Sequence, residues 1–258
     1  NLCKAQIRKN RKIKCDIMTL GFIMKKNIIT FAFLLISLAL FAGDVAAFED
    51  IGFSSDGKTY LFAEYGITDK DFQGYAEIYA VDIAKNDFLP NGIFKINPSS
   101  ATAGKSGISV YQSLKEKQSS WLNSFKATPV SLENVLYIKP NDSKKNTETI
   151  SVTDFIHSSQ NNPITYKFTL VPYYEGSGKN LVSSFYIVVE KLDKDGKVLD
   201  KIVAGNPDVK RKMISSYAIE KIFCSKDAKN FVIVVEKRSE ENGVPTIRYM
   251  VETFQLSN

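Results

Sequence analysis

Residues 59–65 read Thr-Tyr-Leu-Phe-Ala-Glu-Tyr, and residues 75–83 repeat that texture as Tyr-Ala-Glu-Ile-Tyr-Ala-Val-Asp-Ile. Aromatic and β-branched density of this kind predicts two strands. Ahead of the first lies Ser55-Asp56-Gly57-Lys58, where Gly57 can take a positive φ and the Asp56 carboxylate can bond back to the backbone. The polar loop 66–74 then reverses the chain, giving a strand–loop–strand unit.

Further along, 88–96 predicts a third strand interrupted by Pro90-Asn91-Gly92, and 98–107 a small-residue loop. Residues 108–125 carry the one helical period. Tyr111, Leu114, Trp121, Leu122 and Phe125 fall on one stripe while Lys115, Glu116 and Lys117 point elsewhere, and Pro129 follows the end. A short strand is expected at 135–138 and a polar loop at 139–149. Residues 164–170 alternate, with Ile164, Tyr166, Phe168 and Leu170 on one face. Strands 185–191 and 197–203 flank Asp193-Lys194-Asp195-Gly196, a hairpin tip.

The C-terminal segment repeats the opening unit. Phe223-Cys224-Ser225-Lys226-Asp227 parallels Phe53-Ser54-Ser55-Asp56-Gly57 with one residue inserted, which puts Cys224 in the slot of Ser54. A strand at 231–236, a polar loop through Gly243 and Pro245 and a strand at 246–254 complete the copy. An internal repeat of this length is an organising signal.

The turn built on Phe53, Ser54, Asp56, Gly57 and Lys58, followed by Glu77 to Ile83, resembles the blade motif of TolB-type β-propellers. The body as a whole is similar to a family of predicted secreted bacterial proteins known as a domain of unknown function. The segments that carry this likeness are 53–66, 76–82, Gly205-Asn206-Pro207 and 247–253. The likeness implies export and brings no activity and no binding residues.

The formal net charge of +6 invites a polyanion-binding reading until the charge is located. Eight of the 34 basic and two of the 28 acidic side chains precede Phe48, so 26 of each sign remain in the body. A balanced body argues against nucleic acid as partner. The basic excess belongs to a leader. Met24-Lys25-Lys26 opens an uncharged run from Ile28 to Ala42, and Val45-Ala46-Ala47 supplies the small residues of a signal-peptide cut between Ala47 and Phe48. The run is short for a bilayer span of about 20 residues, so no stable span is expected after cleavage. Residues 1–23 read as an upstream extension, 24–47 as the signal peptide and 48–258 as one domain. Cys3 and Cys15 fall ahead of the cut, leaving Cys224 alone and no internal disulfide.

Catalytic chemistry finds little purchase. His157 is the one histidine and reads as lying in a polar loop, and a Cys224 nucleophile would need it as a base. One histidine and one cysteine do not make a soft-metal site. Residues 99–106 sit between strand and helix like a phosphate loop, but Ser99 replaces its first glycine. Asp193 to Gly196 begins like a calcium loop and lacks the closing Glu. Lys210-Arg211-Lys212 is the one basic patch of the body. Glu64 and Glu77 are the carboxylates that strand ends would present as a hydrolytic pair.

These readings predict an exported, mainly β protein of antiparallel, propeller-like hairpin units with one amphipathic helix, a β-sandwich or barrel being the alternative. No catalytic, cofactor or metal residues are assigned. The expected function is non-catalytic binding of an envelope protein or glycan, in the periplasm or outside the cell, through loops such as 66–74 and 240–245. The alternative is a carboxylate-based hydrolase of envelope glycans. Oligomeric state is left open.

Overall fold

Two strands with no polar face set the architecture. In β3 (Thr59–Ile67) the residues from Thr59 to Glu64 are all buried, and in β13 (Asn230–Glu241) so are those from Asn230 to Glu236. Such strands need a covering layer on each side. The computed structural model describes residues 44–140, 148–241 and 244–256, all within the unit Gly43–Asn258. The upstream extension and all but the end of the leader fall outside the described residues.

Three sheets form. The first is an antiparallel meander of β2 (Ala47–Phe53), β3, β4 (Gly74–Asp82) and β5 (Asp87–Ile96). Another is the meander of β7 (Thr149–Ser159), β8 (Asn162–Glu175), β9 (Val182–Leu192) and β10 (Val198–Ala204), with β11 (Arg211–Lys212) joined to β9. Between them lies a sheet in the order β1 (Asp44–Val45), β14 (Val244–Gln255), β13, β12 (Ile214–Cys224), β6 (Val135–Ile138). Its β1–β14 pair is parallel and its other pairs are antiparallel.

The cores show how the sheets stack. Phe231, Ile233 and Val235 of β13 pack on Phe168, Phe185 and Ile187 of the β7–β10 sheet. From the opposite face, Val232 and Val234 meet Tyr60, Phe62 and Val81 of the β2–β5 sheet. That sheet turns Leu61, Ala63, Ile78 and Ala80 outward to Val110, Tyr111 and Leu114 of α1 (Gly107–Lys117) and Leu122 of α2 (Ser119–Ser124). Burial of each large apolar side chain contributes about 1.5–3 kcal/mol relative to leaving it in water. The order is helices, sheet, sheet, sheet.

The protein is mainly β and antiparallel, as the sequence predicts. The layers form a row, however, and not the propeller ring that the turn motif suggests, because helices cover the outer face of the β2–β5 sheet. The helical stripe holds, but its single helix divides at Gln118 (φ −101°, ψ 12°). Five strands go unforeseen. β1 and β2 precede the first turn, β7 occupies the stretch around His157 that reads as a loop, β11 lies in the basic patch, and β12 leads into the second copy of the turn.

Candidate functional site

The repeat is exact in its hydrogen bonds. In the first copy the Ser54 hydroxyl donates to Asp56 Oδ1 at 2.6 Å and accepts the Thr59 N–H at 3.0 Å, while the Lys58 N–H reaches Asp56 Oδ1 at 3.1 Å. In the second, Ser225 donates to Asp227 Oδ1 at 2.5 Å and accepts the Asn230 N–H at 3.0 Å, with the Lys229 N–H on Asp227 Oδ1 at 3.2 Å. Gly57 and Ala228 occupy the same positive-φ position, at +70° and +52°. Each hydroxyl bond holds its carboxyl below the usual Asp range, aided by the backbone N–H.

These bonds align Ser54 with Ser225 and Asp56 with Asp227 without any inserted residue. Cys224 therefore stands where the first copy has Phe53, and Phe223 matches Gly52 and not Phe53. Aligning on Ser-x-Asp-x-Lys, rather than on the aromatic before it, finds this register.

The two turns touch. The Asn230 side-chain amide donates to the Gly57 carbonyl at 3.0 Å, and between the turns opens a cavity of about 650 Å³. Asp56 and Asp227 line it, as do Thr128, Glu133 and Lys226. Thr128 is fixed there by donating its N–H to the Phe53 carbonyl at 3.1 Å. Cys224 forms part of the wall, but its thiol is bonded to the Asn134 carbonyl at 3.6 Å and burial pushes its pKa to about 12. A buried thiol held neutral in this way is packed like the apolar groups around it.

The far ends of the same strands hold the loops singled out for binding. Thr68, Asp69 and Asp71 of the 66–74 loop share a cavity of about 240 Å³ with Asp44 and with Val244 and Thr246 at the start of β14. Residues 242 and 243 of the 240–245 loop lie outside the described residues. The twin units thus run side by side, with the Ser-x-Asp turns at one end and the β3–β4 and β13–β14 connections at the other.

Glu64 and Glu77 do come together. They are direct register partners across β3 and β4, and the Tyr79 hydroxyl lies against both carboxylates, 3.5 Å from Glu64 Oε1 and closer to Glu77. Glu77 also takes the Lys95 ammonium at 2.6 Å. Glu64 is 4 % exposed, accepts the Tyr249 N–H at 2.7 Å, and has its pKa raised by burial. The pair lines none of the cavities described above.

The remaining residues that the sequence brought forward are dispersed. His157 Nδ1 is 3.0 Å from Asp154 Oδ1 in its own strand, and the N–H groups of Ile156 and His157 donate to the same oxygen. Asp193 accepts the N–H groups of Asp195 and Lys197 at 3.0 and 2.8 Å, which closes the hairpin with Gly196 at φ +79°. Lys210 donates to Ser184 at 3.3 Å, and Arg211 lies 4.9 Å over the Phe185 ring. Ser106, at the end of the phosphate-loop-like stretch, caps α1 by accepting the Ser109 N–H at 3.3 Å. Among the described residues no helix is long and apolar enough to cross a membrane.

Neither the curated proteins nor the solved structures yield a match to this chain. A family model described as "Predicted secreted protein (DUF2259)" matches residues 61–255, from β3 to the end of β14. That span holds most of all three sheets and both helices, and the chain belongs to this family of predicted secreted proteins.

Proposed function

We propose that this exported protein is a non-catalytic binding module of the cell envelope that engages a protein or glycan partner in the cleft between its two Ser-x-Asp turns. One observation carries the reading: a duplicated unit sets the same rigid turn on each wall of the 650 Å³ cavity. Both serines are buried and both carboxylates are pinned, so the walls are preorganised and little conformational entropy is lost on binding. The mouth offers Asp56, Asp227 and Glu133 against Lys226, which suits a polar partner carrying positive or hydroxyl groups.

Photo-crosslinking in exporting cells tests this. A photoreactive residue at Ser55 or Lys226, both at the cleft, is expected to give a discrete adduct, whereas one at the exposed Phe72 of the opposite loop end gives none. Adducts from Phe72 alone would transfer the binding surface to the 66–74 loop.

A second reading rests on the adjacency of Glu64 and Glu77. A hydrolase needs two acids in different surroundings, and here burial raises the Glu64 pKa while Glu77 lies 2.6 Å from the Lys95 ammonium. Weighing against it, the Tyr79 hydroxyl fills the space between them and Glu64 is shut off from solvent. Incubation with isolated envelope glycan decides the matter. No release of soluble fragments is expected, and release that Glu64→Gln and Glu77→Gln each abolish would replace the binding module with an enzyme.

A further inference from the structure

Small-residue spacing puts the leader cut between Ala47 and Phe48, yet the residues just before that bond are built into the fold. Asp44 and Val45 run parallel to Thr246 and Ile247, and the Ala46 N–H donates to the Ile247 carbonyl at 3.1 Å. Ala46 is 3 % exposed, and Ala47 is the register partner of Tyr65.

Asp44 does more than pair its backbone. Its carboxylate receives the Arg248 guanidinium in a fork, Nη1 to Oδ1 at 2.9 Å and Nη2 to Oδ2 at 2.7 Å. Arg248 Nη1 also donates to the Asp44 carbonyl at 3.1 Å. The Tyr75 hydroxyl donates to Asp44 Oδ1 at 3.0 Å, and the guanidinium lies 4.3 Å over the Tyr75 ring. A bidentate pair of this kind is strong and directional, and removing one partner of a largely buried pair leaves an uncompensated charge. A chain beginning at Phe48 would take from Arg248 its carboxylate partner, leaving its bond to the Ile247 carbonyl at 2.9 Å, and would bare the β14 edge at Thr246 and Ile247.

We propose that the leader is cut ahead of Asp44, so that residues 44–47 belong to the exported body. The sequence offers two bonds there. Ser37 and Ala39 set small residues at the required spacing before Leu40, and Ala42 stands directly before Gly43. The step is one hydrolysis by a peptidase of exported chains. The peptide C–N bond breaks, the hydroxyl of water joins the acyl carbon, and its proton goes to the new terminal amine.

The test is N-terminal sequencing and intact mass of the protein exported from a chain expressed from Met24. A first residue of Leu40 or Gly43 supports the proposal. A first residue of Phe48, or a retained leader, overturns it. A stability comparison gives a second readout. A purified body starting at Phe48 is expected to melt about 5 °C or more below one starting at Gly43, given roughly 2–4 °C per kcal/mol at this size. Arg248→Met should lower the midpoint of the longer body more than that of the shorter one. Equal midpoints for the two bodies, or an equal effect of Arg248→Met on both, would remove the physical basis of the proposal.

Discussion

Ser54→Ala and Ser225→Ala should weaken the protein by the same amount, because the two hydroxyls do the same work. Each serine is buried, at 7 % and 6 % exposure, and each accepts a backbone N–H five residues on at 3.0 Å. Alanine leaves that buried N–H without its acceptor, a loss of about 1–3 kcal/mol. The hydroxyl's bond to Asp56 or Asp227 adds little at neutral pH, since both carboxylates lie open to solvent that can replace it. Each variant is therefore expected to melt roughly 2–12 °C below the parent, from about 2–4 °C per kcal/mol, with the two values within about 1 kcal/mol of each other. The pH dependence has a definite sign. Both carboxyls titrate below the usual Asp range in the folded protein, so the stability they confer is present above the unfolded value of about 3.9 and is lost as pH falls through the folded one. The variants lack the hydroxyl's share of that contribution. The gap between parent and variant should then narrow on acidification, while the unpaired N–H keeps it from closing. Urea unfolding followed by Trp121 fluorescence at pH 7 and pH 3 measures both quantities. One serine costing over about 2 kcal/mol and the other under about 0.5, or a gap that widens in acid, would refute the equivalence of the turns.

Two further outcomes follow from particular atoms. Gly52 sits at φ +112° with the place of a Cβ only 1.7 Å from the Thr128 carbonyl oxygen, so Gly52→Ala must displace the wall of the cleft and break the Thr128–Phe53 bond. A loss of about 3 kcal/mol or more in chemical denaturation is expected from positive-φ strain plus the collision, and a loss under about 1 kcal/mol would contradict it. Burial holds Cys224 neutral up to about pH 12, so a disulfide reagent at pH 8 should modify the native thiol at least about 100-fold more slowly than the urea-unfolded one. Because the unfolded thiol ionises first, this group also lowers stability as pH rises past about 8.5. Equal labelling rates in the two states would show the thiol to be open.

Much of this was legible because turn chemistry and strand composition are local. The aromatic and β-branched runs of β3 and β13 announce strands, and Asp-Gly announces the hairpin at 193–196. What escaped did so where the two-residue period breaks. β12 carries register shifts between Ile214 and Ser216 and between Ile219 and Lys221, and each bulge swaps the faces of the residues beyond it. β7 shifts between Asp154 and Ser159, where Asp154 turns inward and is satisfied by His157 and by backbone N–H groups. A polar stretch satisfied by its own neighbours looks like a loop in sequence. The helical stripe from Tyr111 to Phe125 was visible, but nothing in it marks the break at Gln118. The strand–loop–strand order brought Glu64 and Glu77 forward as a pair, though not their direct register, whereas the Asp44–Arg248 fork depends on a parallel edge strand that no local signal reports.

The row of sheets, in place of a ring, follows from what each sheet offers on its outer faces. The central sheet is apolar on both sides and must be sandwiched. The β2–β5 sheet presents Ala63, Ala76 and Ala80 among its outward residues, small enough for helices to lie close and seal that face. The outer face of the β7–β10 sheet is mixed instead, with Val171, Tyr186, Val188 and Val203 beside polar groups. Thr153 and Thr165 share a hydrogen bond at 3.0 Å, and Lys167 pairs with Glu190 at 3.2 Å. Covering that face with another sheet would bury the threonines and the ion pair, which costs free energy against the apolar area gained. Ring closure would require these two outer faces to meet, and one is already covered while the other carries those polar groups. With the row open, the duplicated units occupy neighbouring layers and point the same way. Their turns are therefore held side by side by the core between them, Tyr60 and Phe62 against Val232 and Val234, and the cleft between the turns is as rigid as that core.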